Sequence, residues 1–147
     1  FGVKLKHSVN VSYIKNKKVI LIDDSIVRGT TAKKIVKMVY EAGAKEVHLG
    51  VSCPPITHPD FYGIDTPNYN ELIASNKNID EMSSMIGTKS LFFLSLNGTY
   101  RAMGCNERDD NCPQFTDHCF TGEYPTPLVD MEQGNVSKQY SLLTEKS

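Results

Sequence analysis

A chain of 147 residues has room for one compact domain with a modest core, and too little for two full ones. With 39% hydrophobic and 22% charged residues it is neither disordered nor membranous by composition, and no apolar run approaches the roughly 20 residues of a spanning helix. A formal net charge of −1 supplies no global basic field, so neither a nucleic acid nor a membrane is an expected partner.

The first 18 residues hold Lys4, Lys6, Lys15, Lys17 and Lys18 and no acidic residue. They read as a solvated lead-in or as a basic loop near an anionic ligand. Val19-Ile20-Leu21-Ile22 is apolar, rich in β-branched residues and too short for a helix, which predicts a strand buried on both faces of a parallel sheet. From Thr31 to Ala42, residues Ala32, Ile35, Val36, Val39 and Ala42 recur at helical spacing, with Gly43 where the helix should stop. Val47 to Val51 reads as a second strand, closed by Pro54-Pro55. Together these form a βαβ unit, whose crossover should be right-handed. Pro67, after Thr66, should start a short helix running through Ala74. Asn78 and Glu81 form a capping box before a helix bearing Ile79, Met82, Met85 and Ile86, which Gly87 ends. Leu91 to Leu96 predicts a third buried strand, and Asn97 to Met103 one or two helical turns. Residues 105–147 are polar and contain proline, so they read as a surface extension that frays after about residue 130. The expected class is therefore α/β, a mainly parallel sheet flanked by helices, with an irregular C-terminal extension.

Cys53, Cys105, Cys112 and Cys119 include no C-x-x-C pair, and no signal peptide opens the chain at Phe1. Reduced thiols in the cytoplasm are the expectation. Cys112, His118 and Cys119 suit none of the usual zinc spacings and read as loop residues. Cys53 reads as a small core residue. His58, beside a proline, reads as structural.

The segment that carries chemistry runs Val-Ile-Leu-Ile-Asp-Asp-Ser-Ile-Val-Arg-Gly-Thr-Thr, residues 19–31. A buried strand there delivers Asp23 and Asp24 at its C-terminal edge, where open α/β sheets bind ligands. A turn with Gly29 follows, then a helix start whose N–H groups, with the Thr30 and Thr31 hydroxyls, make a phosphate cradle. The paired carboxylates would repel a bare phosphate but suit a divalent cation or sugar hydroxyls, so the combination points to a phosphorylated sugar with Mg²⁺. Three readings compete: aspartates that merely end a strand and cap a turn, a receiver-like phosphoacceptor pocket, and a phosphoribosyltransferase site.

The full string resembles the phosphoribosyl pyrophosphate signature of type I phosphoribosyltransferases at every position. Residues 23–31, Glu-Ala-Gly-Ala at 41–44, the string from Pro54 to Pro67, Glu71-Leu72-Ile73-Ala74, Ile86-Gly87 and Cys119 to Pro125 resemble, within that class, the glutamine phosphoribosylpyrophosphate amidotransferase family. The resemblance covers about residues 1–129.

That resemblance implies an incomplete type I phosphoribosyltransferase fold. It implies an enzyme that transfers glutamine-derived ammonia to phosphoribosyl pyrophosphate, giving 5-phosphoribosylamine in the first step of de novo purine synthesis. Asp23 and Asp24 would hold the ribose hydroxyls and Mg²⁺; Ser25, Arg28, Gly29, Thr30 and Thr31 would complete the ribose and 5-phosphate site. No residue is assigned as nucleophile or base. Purine nucleotides would be feedback inhibitors, and the full-length protein a homo-oligomer. Residues 1–18 would be the end of a flexible basic loop and lead-in, and 19–104 the C-terminal portion of the transferase domain. The glutaminase domain is expected to be absent, Phe1 being no substitute for its N-terminal cysteine, and the chain alone to be an inactive fragment. Its Val19 strand, central in the complete fold, should then expose an unpaired apolar edge. Some family members hold an iron–sulfur cluster. Asp60 stands at one ligand position and Phe115 where Cys112 needs its partner, so no cluster is expected. The alternative function is a nucleotide-sensing regulatory module of the same fold.

Overall fold

The structure is a computed structural model and describes residues 9–63 and 68–128. A four-residue helix α1 (Val11–Ile14), capped by the Asn10 side chain on the Ser12 N–H, lies within the segment expected as lead-in. Strand β1 (Lys18–Asp23) leads through a turn into α2 (Thr30–Glu41), and β2 (Glu46–Val51) follows. A 3₁₀ turn (Tyr69–Glu71), α3 (Ile73–Asn76), α4 (Ile79–Ile86), β3 (Ser90–Phe93), α5 (Leu96–Ala102) and α6 (His118–Thr121) complete the described chain.

The sheet is parallel throughout, in the order β1-β2-β3. Lys18 pairs with Glu46 and Asp23 with Val51 across the first ladder; His48 pairs with Ser90 and Val51 with Phe93 across the second. Alternation puts Val47, Leu49 and Val51 on one face, where α2 contributes Ala32, Val36 and Val39, and α4 contributes Met82 and Ile86. These side chains, with Leu91, Ile26 and Ile73, form the core.

The other face differs from the sequence expectation. β1 is an edge strand whose residues alternate between exposed and half-buried; Ile20 and Ile22 are 65% and 71% exposed, so the strand is not buried on both faces. The exposed Phe92 ring lies across Gly50, 2.6 Å from where a Cβ there would sit, so only glycine leaves room for it.

Two boundaries also shift. The third strand ends at Phe93 rather than Leu96, because Ser95 turns outward and caps α5 on the Gly98 N–H at 3.0 Å. The helix expected through Ala74 is two short pieces, broken at Leu72, whose backbone is extended; Asn76 Nδ2 braces the break by donating to the Tyr69 and Leu72 carbonyls. Its expected start at Pro67, the lysines at 4 and 6, and the fraying after residue 130 lie outside the described residues. The capping box is present as read: Asn78 Oδ1 accepts the Glu81 N–H and Glu81 Oε2 accepts the Asn78 N–H, both at 2.9 Å. Gly87 ends α4 in the left-handed region.

Because α4 covers the core through Met82 and Ile86, its cap bears on global stability. Asn78→Ala should lower the urea midpoint, with an unchanged slope, by the equivalent of about 1 kcal/mol. Equilibrium unfolding monitored by circular dichroism measures it.

Candidate functional site

At the end of β1 the Asp23 carbonyl accepts hydrogen bonds from Ser52 N–H (2.9 Å) and Oγ (3.1 Å), which finish the first ladder and aim the chain out of the sheet. The turn then folds on itself. Asp23 Oδ1 accepts the Asp24 N–H at 3.1 Å, and Asp24 Oδ1 accepts the Ser25 N–H at 2.7 Å. Ile26, 3% exposed, pins the turn into the core, and the Ile73 N–H donates to the Val27 carbonyl at 2.9 Å.

Gly29 is required twice. Its φ of +72° lies in the left-handed region, and a Cβ would stand 3.1 Å from both Ile73 Cδ1 and Met85 Cε. Gly29 also opens α2 without a side-chain cap, and its carbonyl accepts the Lys33 N–H at 3.0 Å as the helix begins. The N–H groups of Thr30, Thr31 and Ala32 therefore have no intrahelical acceptor and carry the positive end of the helix dipole. An open cavity of about 300 Å³ is lined by residues 23–32. All seven residues singled out from sequence (Asp23, Asp24, Ser25, Arg28, Gly29, Thr30 and Thr31) line it.

Two neighbours were not read as part of this site. Glu71 Oε2 accepts the Arg28 Nε–H at 2.7 Å from 43 residues away. Cys53, expected in the core, is only half-buried; burial first, then the charges of Asp24 and Asp23, push its thiol up to about 11.

The described part of the C-terminal extension is bound tightly to the loop after β2. The Thr57 and His58 N–H groups donate to the Cys119 carbonyl at 2.9 and 3.1 Å, and Tyr124 Oη donates to the Pro59 carbonyl at 2.9 Å. Asp60 and His118 are both buried and join through Oδ2 and Nε2 at 2.7 Å. His58 packs on Tyr69 and under Gly122, where a Cβ would meet its Nε2 at 2.6 Å, contacts that give it a packing role in this junction. The Arg108 side chain, 5% exposed, bonds Asp117 through Nε at 2.7 Å, Asp110 through Nη1 at 2.6 Å, and Glu123 through Nη2. Tyr100 Oη adds a bond to Asp117 at 2.8 Å. Burial pushes the Asp117 carboxyl up, but the bonds from Arg108 and Tyr100 outweigh it and leave it below its usual value of 3.8.

A parallel strand ending in paired carboxylates, then a glycine turn into an uncapped helix N-terminus, is the arrangement expected of an α/β protein of phosphoribosyltransferase type. Comparison with known proteins is more particular. No protein-family model matches the chain. It is 54% identical over 144 residues to the amidophosphoribosyltransferase of Rhizobium etli, covering 97% of this chain and 29% of that protein. It is 49% identical over 127 residues to that of Bacillus subtilis, covering 86% and 26%. Among solved structures, the B. subtilis glutamine phosphoribosylpyrophosphate amidotransferase complexed with ADP and GMP superposes with a TM-score of 0.73 at 49% identity, over 82% of this chain and 26% of that one. The chain is thus homologous to a segment of the amidophosphoribosyltransferases, and spans less than a third of the length of the curated relatives it matches.

The resemblance raises two cofactors, an iron–sulfur cluster and Mg²⁺. Among the described residues, the one group of three or more potential ligands is Asp60, His118 and Cys119, with donor atoms within 4.8 Å of one another and a single thiol, where a cluster takes four cysteine ligands. Mg²⁺ is a better match to Asp23 and Asp24. Each uses one carboxylate oxygen in the turn and keeps the other without a partner among the described residues, and oxygen is the donor Mg²⁺ prefers.

Two outcomes follow from these charges. Asp24→Asn removes a negative charge beside Cys53, so its thiol pKa should fall and its alkylation in mildly alkaline buffer should quicken, as read by peptide-resolved mass spectrometry. Asp117 is held below its usual value in the folded chain, so its stabilising contribution is present above 3.8 and is lost as pH falls through the lowered value. Asp117→Asn should flatten the acid limb of a stability-against-pH curve below that point.

Proposed function

We propose that this chain supplies the ribose-phosphate-binding part of an amidophosphoribosyltransferase, the step in which ammonia released from glutamine displaces pyrophosphate from phosphoribosyl pyrophosphate at the start of purine nucleotide synthesis. The observation that carries the reading is the single cavity that gathers all seven motif residues at the mouth of an uncapped helix. The N–H groups of Thr30, Thr31 and Ala32, with the two threonine hydroxyls, receive the 5-phosphate. Asp23 and Asp24 accept hydrogen bonds from the ribose 2- and 3-hydroxyls and hold Mg²⁺ through their remaining oxygens. When bound, Mg²⁺ neutralises charge on the departing pyrophosphate.

The reaction forms a C1–N bond and breaks the C1–O bond to pyrophosphate, and the attacking nitrogen then loses a proton. Charge builds up on the sugar ring and on the leaving group together, so holding both in place is the larger part of catalysis. Neither aspartate has to act as a nucleophile. The rest of the longer protein, including the source of ammonia, is needed for turnover. AMP and GMP carry the same phosphoribosyl group and compete for the cradle. A cytoplasmic setting and self-association of the full-length protein go with this reading. The relatives bear enzyme names, which disfavours the regulatory alternative.

Calorimetric titration of the 147-residue chain with phosphoribosyl pyrophosphate should show saturable binding that Mg²⁺ strengthens. Asp24→Asn should weaken it by about tenfold or more, the worth of a charged hydrogen bond. A folded chain that binds neither phosphoribosyl pyrophosphate nor AMP would sink the reading.

A further inference from the structure

The cradle does not stand alone on its side of the sheet. Residues 71–73 hold the Val27–Gly29 turn by three separate means. The Ile73 N–H bonds the Val27 carbonyl at 2.9 Å, the Ile73 side chain fills the space beneath Gly29, and Glu71 Oε2 accepts the Arg28 Nε–H at 2.7 Å. The first two fix the backbone of the turn. The third fixes the one cationic side chain that lines the cavity.

The way the guanidinium is held is informative. Glu71 engages Nε alone, at the inner corner of the fork, and Nη1 and Nη2 bond to no described residue. An ion pair whose purpose was mutual neutralisation would be served better by the bidentate geometry that arginine and carboxylate readily form. A side-on hold instead restrains the side chain and leaves its two outer nitrogens as parallel donors toward a bound anion. Arg28 and Glu71 are 54% and 49% exposed, so the pair is screened and adds little to folding. Its value lies in ordering a long side chain that would otherwise lose rotamer freedom on binding ligand.

We infer that Glu71 is a positioning residue: it orients the Arg28 guanidinium so that its free Nη donors meet a phosphate oxygen of the phosphoribosyl ligand. The inference rests on the ribose-phosphate reading of the cavity. An opposite assignment is physically possible, in which Glu71 sequesters Arg28 and repels the anion, and the two differ in sign.

The test is calorimetric titration of the full chain with phosphoribosyl pyrophosphate and Mg²⁺, using wild type, Glu71→Ala, Glu71→Gln, Arg28→Ala and the Glu71→Ala/Arg28→Ala double variant. Circular dichroism confirms that each is folded. Glu71→Ala should weaken binding by about threefold to fivefold, the range of a half-exposed ion pair. Glu71→Gln, which keeps a side-chain oxygen to accept the Nε–H, should recover most of that loss. In the Arg28→Ala background, Glu71→Ala should change nothing, because its effect passes through Arg28. Unchanged or tighter binding by Glu71→Ala overturns the proposal while leaving the ribose-phosphate reading intact. A loss that persists in the Arg28→Ala background overturns it too, since Glu71 would then act elsewhere. Wild type that does not bind brings down the reading and the proposal with it.

Discussion

The hydrogen bonds from the Ser52 N–H and hydroxyl to the Asp23 carbonyl decide where β1 stops and therefore where the cradle begins. They are the last rung of a parallel ladder that runs in unbroken register from Lys18 and Glu46. Alternation along that ladder sends Leu21 toward the core and Ile22 away from it, so a slip of one residue would exchange the two faces and carry the aspartates with them. The core defends the register: Val47, Leu49 and Val51 are buried against α2 and α4, and no other phasing of β2 keeps all three inside. Ligand geometry at the sheet edge is thus set by apolar packing well below it.

A second constraint is separate from the first. The segment from Arg108 to Tyr124 is rich in polar residues, yet it is held firmly because its charges are paired where they are buried. Arg108 meets Asp117 with both side chains about 5% exposed, and His118 meets Asp60 in the same condition. Apolar residues packed in place of such buried pairs are often as stable or more so, but removing one partner alone strands the other at a cost of about 3–5 kcal/mol. They serve to fix one arrangement of the extension against residues 57–62.

How much of this was legible in the sequence depends on how far apart the partners lie. The cradle was readable because Asp23 to Thr31 is contiguous, and strand, turn and helix each leave a local mark: an apolar run, a glycine, a periodic stripe. The capping box at Asn78 and Glu81 was readable for the same reason. Ile20 and Ile22 were misread, since apolar residues in a strand give no sign of whether a neighbour covers them. Glu71 and Arg28 lie 43 residues apart and have no pattern that joins them, so Arg28 is legible as a site residue while its partner is not. Arg108 lies in the stretch read only as a surface extension, and its partners Asp117 and Glu123 are 9 and 15 residues further on. Cys53 looked like core because it follows a buried strand, but it falls just past the last rung, beside the aspartates.

The charges at the cavity explain why the site needs so much backbone. Asp23 and Asp24 bring two negative charges to the cavity proposed for an anionic ligand, against one cationic side chain, Arg28, which Glu71 holds by its Nε alone. The side chains lining the cavity therefore carry one more negative than positive charge and give a phosphate little net attraction by themselves. What reverses the balance is fixed in the fold: the uncapped N–H groups at the start of α2, available because Gly29 supplies a left-handed turn and no side-chain cap. A cation held by the aspartates would turn the remaining repulsion into attraction toward the pyrophosphate side of the ligand. On the proposed reading, affinity would rest on dipoles that cannot rotate away, on the Arg28 Nη donors and on a cation held by the aspartates. A mobile lysine cluster would bind any phosphate, whereas the proposed site would favour a ligand that carries a phosphate, ribose hydroxyls and a metal-binding pyrophosphate at fixed separations.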